Sequence, residues 1–269
     1  MTTIATGGFA NYDASFAAFD PAVSYVATLF MLLAALPFVR FVQLSAGTAR
    51  PMLRDTQIHA FLATALVIVF LIAGWNLWQQ KTIDEGAVRA AAFNAVSLMT
   101  GTGYANADYM QWGSFAIAVL FFTGLIGGCA GSTACSIKIF RYQLLFASIR
   151  SQLQKTRSPH GIFTPRYAGR PVGEDVLNSV MSFFVFFTVT LGLLSVALAM
   201  TGLDFTTSVS GAATALANVG PGFGDHIGPS GNFAGLNDTA KWLLAAAMLI
   251  GRLELMAVYV MFTVQFWRA

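Results

Sequence analysis

Three glycine strips, each lying against long apolar stretches, constrain the fold of this chain more than any other feature. They are Ala5-Thr6-Gly7-Gly8-Phe9-Ala10-Asn11, Thr100-Gly101-Thr102-Gly103-Tyr104-Ala105-Asn106 and Ala217-Asn218-Val219-Gly220-Pro221-Gly222-Phe223. With Gly8, Gly103 and Gly220 in register, a ring residue follows each (Phe9, Tyr104, Pro221), and the spacings are 95 and 117 residues. One such strip alone reads equally well as an ordinary glycine turn. Three in register require a repeated unit.

The surroundings of that unit follow from composition. Hydrophobic residues make up 56% of the 269, charged residues 10%, and mean hydropathy is +0.66, against about 25% charged in an ordinary soluble domain. The chain is an integral membrane protein whose first partner is the lipid bilayer. Runs at 21–44, 58–78, 111–145, 176–200 and 239–266 are long enough to cross it, since about 20 helical residues span the hydrocarbon layer. The shorter segments 88–99 and 206–216 end at the second and third strips. They read as re-entrant helices, because irregular backbone at membrane depth must be enclosed by protein or line a cavity.

The order helix, short helix, strip, helix is complete at 58–145 and 176–267, and a third copy is present from its strip onward at 1–44. The longer of the two spacings reflects a basic stretch between Arg150 and Arg170. Repeated membrane units of this kind form a pseudo-symmetric bundle about an axis, where a pathway can lie.

Charge orients the bundle. Arg40, Arg50, Arg54, Lys138, Arg141, Arg150, Lys155, Arg157, Arg166 and Arg170 share one side, which the positive-inside rule makes cytoplasmic. The opposite loops carry Lys81, Arg89 and Lys241 against Asp13, Asp20, Asp84, Glu85, Asp108, Asp204, Asp225 and Asp238. Such acids concentrate cations at an entrance, or cap helices, as the positions of Asp20 before Pro21 and Asp238 before Thr239 favour. The basic residues flank membrane segments rather than forming a stripe that would suit nucleic acid. Cys129 and Cys135 are too few for a disulfide framework and read as packing residues. His59, His160 and His226 have no metal spacing. No nucleophile motif such as G-x-S-x-G occurs, so the chain does not read as an enzyme.

Glycine opens backbone angles that let successive carbonyls face one way, and carbonyls so arranged replace the water shell of a cation. The short helices would also aim their negative C-terminal ends at the cavity. Cation selectivity follows; the choice between potassium and sodium does not.

The strips, the run Gly127-Gly128-Cys129-Ala130-Gly131-Ser132-Thr133-Ala134-Cys135-Ser136-Ile137-Lys138 and the segment Gly251-Arg252-Leu253-Glu254 together resemble the TrkH family of bacterial potassium uptake proteins, relatives of KtrB and plant HKT transporters. The resemblance implies an all-α membrane fold of helix, re-entrant pore helix with filter loop, and helix units around a pseudo-fourfold pore, here incomplete. Residues 1–44 would be the filter and second helix of repeat two, 45–57 a cytoplasmic linker, 58–149 repeat three, 150–174 a basic cytoplasmic linker and 175–269 repeat four. The chain is then expected to be a fragment whose N-terminal half is missing. It also implies a selectivity filter at Ala5 to Phe9, Thr100 to Tyr104 and Ala217 to Pro221, with K+ held by the carbonyls of Thr6, Gly7, Gly101, Thr102, Asn218 and Val219.

The run from Gly127 has two readings. Gly127 and Gly131, at i and i+4, suit close helix packing, whereas ten consecutive small or polar residues weaken a membrane helix. The resemblance favours an intramembrane gating loop through Gly127, Gly128, Gly131, Ser132, Thr133 and Lys138. Arg252 is costly at membrane depth and should face the bundle interior. It is either bonded to carbonyls of neighbouring helices or, by resemblance, lining the pore beneath the filter. The family further implies a homodimer in the bacterial inner membrane, K+ as transported ion with no cofactor, and a cytosolic nucleotide-binding subunit of RCK type. The stretch 150–170 is a candidate contact for that subunit or for anionic lipid. A non-transporting membrane piece, an assembly partner or a sodium-permeable relative are the competing functions.

Overall fold

The computed structural model describes residues 1–80, 84–253 and 255–268, so the expectations placed on Lys81 and Glu254 lie outside the described residues. In chain order the helices are α1 Pro21–Ala34, α2 Phe38–Ser45, α3 Arg50–Leu53, α4 Thr56–Gln80, α5 Glu85–Thr100, α6 Ser114–Leu125, α7 Ile139–Arg157, α8 Glu174–Met200, α9 Phe205–Ala217, α10 Asp238–Arg252, α11 Leu255–Met261 and α12 Val264–Arg268. Two short strands, β1 Arg166–Tyr167 and β2 Arg170–Pro171, pair antiparallel with Tyr167 opposite Arg170.

α4 and α8 are each long and apolar enough to cross a membrane. Their outer faces expose large apolar side chains such as Leu66, Phe70, Val189 and Leu193, which suits contact with lipid chains. α5 and α9 are of the opposite kind. They are short, and nearly every residue from Ala91 to Thr100 and from Thr207 to Ala217 is buried. Both are rich in Ala, Ser and Thr, small residues that let neighbouring helices approach closely.

Each short helix is packed between a long helix before it and an apolar helix after it. α5 lies against α4 and α6, and α9 lies against α8 and α10. Leu98, Phe61 and Leu120 share one core, while Leu216, Leu198 and Leu244 share the other. Successive units are joined the same way each time: α1 packs on α5, and α6 packs on α9. The closing helix of one unit thus supports the short helix of the next, and the units turn about a common centre.

Three of the expected spans are broken. The run 21–44 bends by 92° between α1 and α2, because Pro37 disfavours helix at Leu36 and offers no N–H to continue the ladder. The carbonyls of Ala34 and Ala35 freed there accept from Thr133 N at 3.3 Å and Cys129 N at 2.9 Å. The run 239–266 bends by 105° between α10 and α11. The run 111–145 is helical only to Leu125 and resumes at Ile139, continuing to Arg157 well beyond its expected end. One cap also differs: Asp20 accepts from Ala22 N at 2.8 Å, but the cap of α10 is Asn237, which accepts from Ala240 N at 2.8 Å, and Asp238 sits one position inside the helix.

Candidate functional site

The three strips start with one and the same turn. Thr6, Gly101 and Asn218 adopt left-handed φ of 47°, 70° and 53°, and each ends a helical turn by two backbone bonds. Thr6 N donates to Thr3 O and Gly7 N to Thr2 O, at 3.3 and 2.8 Å. In the second strip Gly101 N donates to Leu98 O and Thr102 N to Ser97 O, at 3.2 and 3.0 Å. In the third Asn218 N donates to Ala215 O and Val219 N to Thr214 O, at 3.2 and 3.0 Å. This is the paired closure of a helix C-terminus. Two residues on, Gly8, Gly103 and Gly220 are left-handed again, with φ of 66°, 83° and 115°.

A hydroxyl clamp, not anticipated from the sequence, completes the repeat. Thr2 Oγ1 donates to Phe9 O at 3.1 Å, Ser97 Oγ to Tyr104 O at 2.7 Å and Thr214 Oγ1 to Pro221 O at 3.1 Å. Each hydroxyl lies six positions before the register glycine, so the signal was present in the sequence. The clamp folds each strip back along the helical turn that precedes it and fixes how far it extends.

The strips lean on one another through backbone. A β-carbon on Gly8 would stand 2.0 Å from Thr102 O, and one on Gly103 2.0 Å from Val219 O. No larger residue fits at either place. The loop after each strip braces the next. Phe16 N donates to Ala105 O at 2.8 Å while its ring packs 4.4 Å from that of Tyr104, and the Tyr109 ring packs 5.6 Å from that of Phe223. Residues of all three strips, among them Thr6, Gly7, Gly101, Asn218 and Val219, border one cavity of about 400 Å³ that also touches Cys135 and Arg252. Phe9 is 79% exposed whereas Tyr104, its equivalent in the second strip, is 3% exposed.

Below the strips runs the irregular segment 126–138. The two readings of its glycines part here: there is no helix, and Gly128 approaches Ala35 so closely that an added β-carbon would meet its carbonyl oxygen at 2.9 Å. The segment is stitched to its surroundings by Phe38 N to Gly131 O at 2.9 Å, Ser136 N to Ala217 O at 3.0 Å and Thr6 Oγ1 to Thr133 O at 2.8 Å. On its far side a second cavity of about 140 Å³ is lined by Ser132, Thr133, Lys138, Gly251 and Arg252. Cys135 and Arg252 border both cavities, and Arg252 Nη1 donates to Cys135 Sγ. Cys135 is therefore not the packing residue expected, although Cys129 is fully buried as one. Gly251 brings α10 this close, since a β-carbon there would stand 2.0 Å from Leu216 O. Asn218, besides its turn, ties the third strip to α10 by donating from Nδ2 to Met248 O at 3.1 Å. Among the described residues no group of three His, Cys, Asp or Glu could hold a metal ion.

Residues 1–268 match the family model TrkH, described as a cation transport protein. The chain belongs to the TrkH family. The chain is 45% identical over its whole length to the Trk system potassium uptake protein TrkI of Halomonas elongata and 32% identical to TrkG of Escherichia coli, covering 55% of each. Its fold superposes on the crystal structure of the potassium transporter TrkH from Vibrio parahaemolyticus with a TM-score of 0.91 at 30% identity, over 99% of this chain and 57% of that one. The chain thus spans about half the length of the TrkH-family relatives it matches.

Proposed function

We propose that the chain supplies three of the filter strips and the gate of a Trk-type potassium uptake transporter in the bacterial cytoplasmic membrane. The observation that carries this reading is the meeting of three strips of identical backbone form at one cavity. A cation entering from the acidic side would exchange water for the carbonyls of Thr6, Gly7, Gly101, Thr102, Asn218 and Val219. The C-terminal ends of α5 and α9 point at the strips they precede and favour positive charge there. The loop through Gly127, Gly128, Gly131, Ser132, Thr133 and Lys138 would close the passage below, with Arg252 beside it, and would have to withdraw for conduction. No covalent chemistry is required of any residue. The units 1–44, 58–149 and 175–269, joined by cytoplasmic linkers 45–57 and 150–174, are the repeats of this reading. A homodimer and an RCK-type cytosolic subunit reaching the 150–174 linker complete it.

The test is rubidium uptake by the intact transporter in cells lacking their own potassium uptake. Gly103→Ala should abolish uptake, because the added carbon collides with Val219 O at 2.0 Å. Gly47→Ala is the control: Gly47 is equally left-handed at φ 86° but has nothing within 4 Å, so only backbone strain of about 1 kcal/mol is added and uptake should persist. Full uptake with Gly103→Ala in the membrane would defeat the filter reading. Replacing rubidium by sodium in the same assay decides between potassium and sodium selectivity.

A further inference from the structure

The irregular segment 126–138 is held from the cytoplasmic side as well as from the strips. Gln57, at the start of α4, accepts from Ala130 N through its Oε1 at 3.0 Å. The turn that presents Gln57 is itself fixed. Asp55 is buried, accepts from Gln57 N through Oδ1 at 2.9 Å and forms an ion pair through Oδ2 with Arg40 Nε at 2.8 Å. The carbonyl of Thr56 accepts from Gln143 Nε2 of α7 at 3.0 Å. Behind this turn lies the β1–β2 hairpin. The Tyr167 hydroxyl is buried and lies within side-chain reach of Thr56 and Gln57. The hairpin is anchored to α7 by Ser151 Oγ, which donates to Phe163 O at 2.9 Å.

We propose that Gln57 is a strap linking the cytoplasmic hairpin to the pore-obstructing segment, so that displacement of Tyr167 loosens the hold on Ala130. The proposal rests on the gate reading above for its functional meaning, but its physical content is a local coupling. A part-buried amide that loses its acceptor forfeits a hydrogen bond worth about 1 kcal/mol, so the loop should open more often whenever Gln57 is drawn away. A ligand or subunit that moves the hairpin would then act on the loop through one side chain, without touching the filter strips. Gln57 is a positioning residue in this scheme, since its contact is with the loop and not with the ion.

Hydrogen exchange on the intact transporter in lipid nanodiscs tests the coupling directly. Gln57→Met, which keeps the volume but removes the acceptor, should speed exchange of a peptide covering 127–136 by about fivefold or more. A strip peptide covering 97–106 should be unchanged. Gln57→Glu, which keeps an acceptor oxygen, should restore protection. Tyr167→Ala should reproduce the Gln57→Met effect in weaker form. Unchanged loop exchange in Gln57→Met, equal acceleration of the loop and strip peptides, or no response to Tyr167→Ala would each overturn the strap. Failure of the gate reading would show separately, as rubidium uptake in the intact transporter that is indifferent to substitutions at Ser132 or Thr133 while exchange at the loop still responds to Gln57.

Discussion

Thr6 donates its hydroxyl to Thr133 O at 2.8 Å, and Thr133 returns its own to Ile4 O at 2.9 Å, so that the first strip and the loop beneath it hold each other by two reciprocal bonds. The choice of residue is informative. The equivalent positions in the other strips are Gly101 and Asn218, which tolerate left-handed backbone, whereas a β-branched threonine does not. A strained residue kept in place by a specific bond points to a use for that bond, here the coupling of the strip to the loop.

Replacing Thr6 separates the strain from the bond. Thr6→Gly removes about 1–2 kcal/mol of left-handed strain and forfeits a hydrogen bond worth about 1 kcal/mol. Thermal stability in detergent should therefore hardly move. The loop, having lost its tie to the strip, should exchange amide hydrogens faster over 127–136, and Thr6→Ser should keep it protected. A Thr6→Gly loop as protected as the parent would show that the bond carries no coupling.

The Ser97 clamp ties the second strip to α5. Ser97 is fully buried, and its hydroxyl bonds Tyr104 O at 2.7 Å. Ser97→Ala leaves that carbonyl with no donor in its place, at a cost of about 1–3 kcal/mol. Thermal melting should fall accordingly, while Ser97→Thr should retain the bond. An unchanged melting temperature in Ser97→Ala would mean that the strip is positioned by its neighbours alone.

Much of this architecture is legible in the residues, and what is not has physical reasons. Glycine strips and apolar runs announce themselves, so the units, the short helices and the bilayer setting follow from the letters. The break at Ala35 to Pro37 was hidden because Pro37 lies within an apolar run, and only the Cys129 and Thr133 amides that bind the freed carbonyls make a sharp bend there stable. Asn237 and Asp238 are both good caps, and adjacency in sequence does not say which begins the helix. The clamp by Thr2, Ser97 and Thr214 could have been read from its constant offset to the glycines. Gln57 and Cys135 could not, since their partners Ala130 and Arg252 are brought to them by packing between segments distant in the chain.

Arg252 stands where the two cavities meet, its guanidinium on Cys135 Sγ. On the function proposed above, a fixed positive charge at that place would oppose a cation and steady the loop at the same time. Arg252→Ala in the intact transporter should raise basal rubidium leak, and Arg252→Lys, which keeps the charge but not the planar fork, should fall between. Because Arg252 is exposed, neither change should cost much stability. Leak and uptake identical to the parent at equal membrane abundance would remove Arg252 from the gate.

Acid should weaken the start of α9. Asp204 caps α9, the short helix behind the third strip, by accepting from Thr207 N at 3.1 Å. The Thr207 side chain, and after it this backbone bond, hold its carboxyl below the usual range. A depressed folded-state value means that the ionised cap stabilises fully above the unfolded aspartate value, about 3.9, and that the contribution fades as pH falls through the lower folded value. Asp204→Ala should cost about 1 kcal/mol near neutral pH, with the gap to the parent narrowing only in strongly acidic solution below about pH 4. Asp204→Asn, which caps without ionising, should lose nothing to acid at this position. Thermal unfolding in detergent across that range is the measurement, and a gap between the parent and Asp204→Ala that persists undiminished in strong acid would show that the carboxylate charge plays no part in ending the helix.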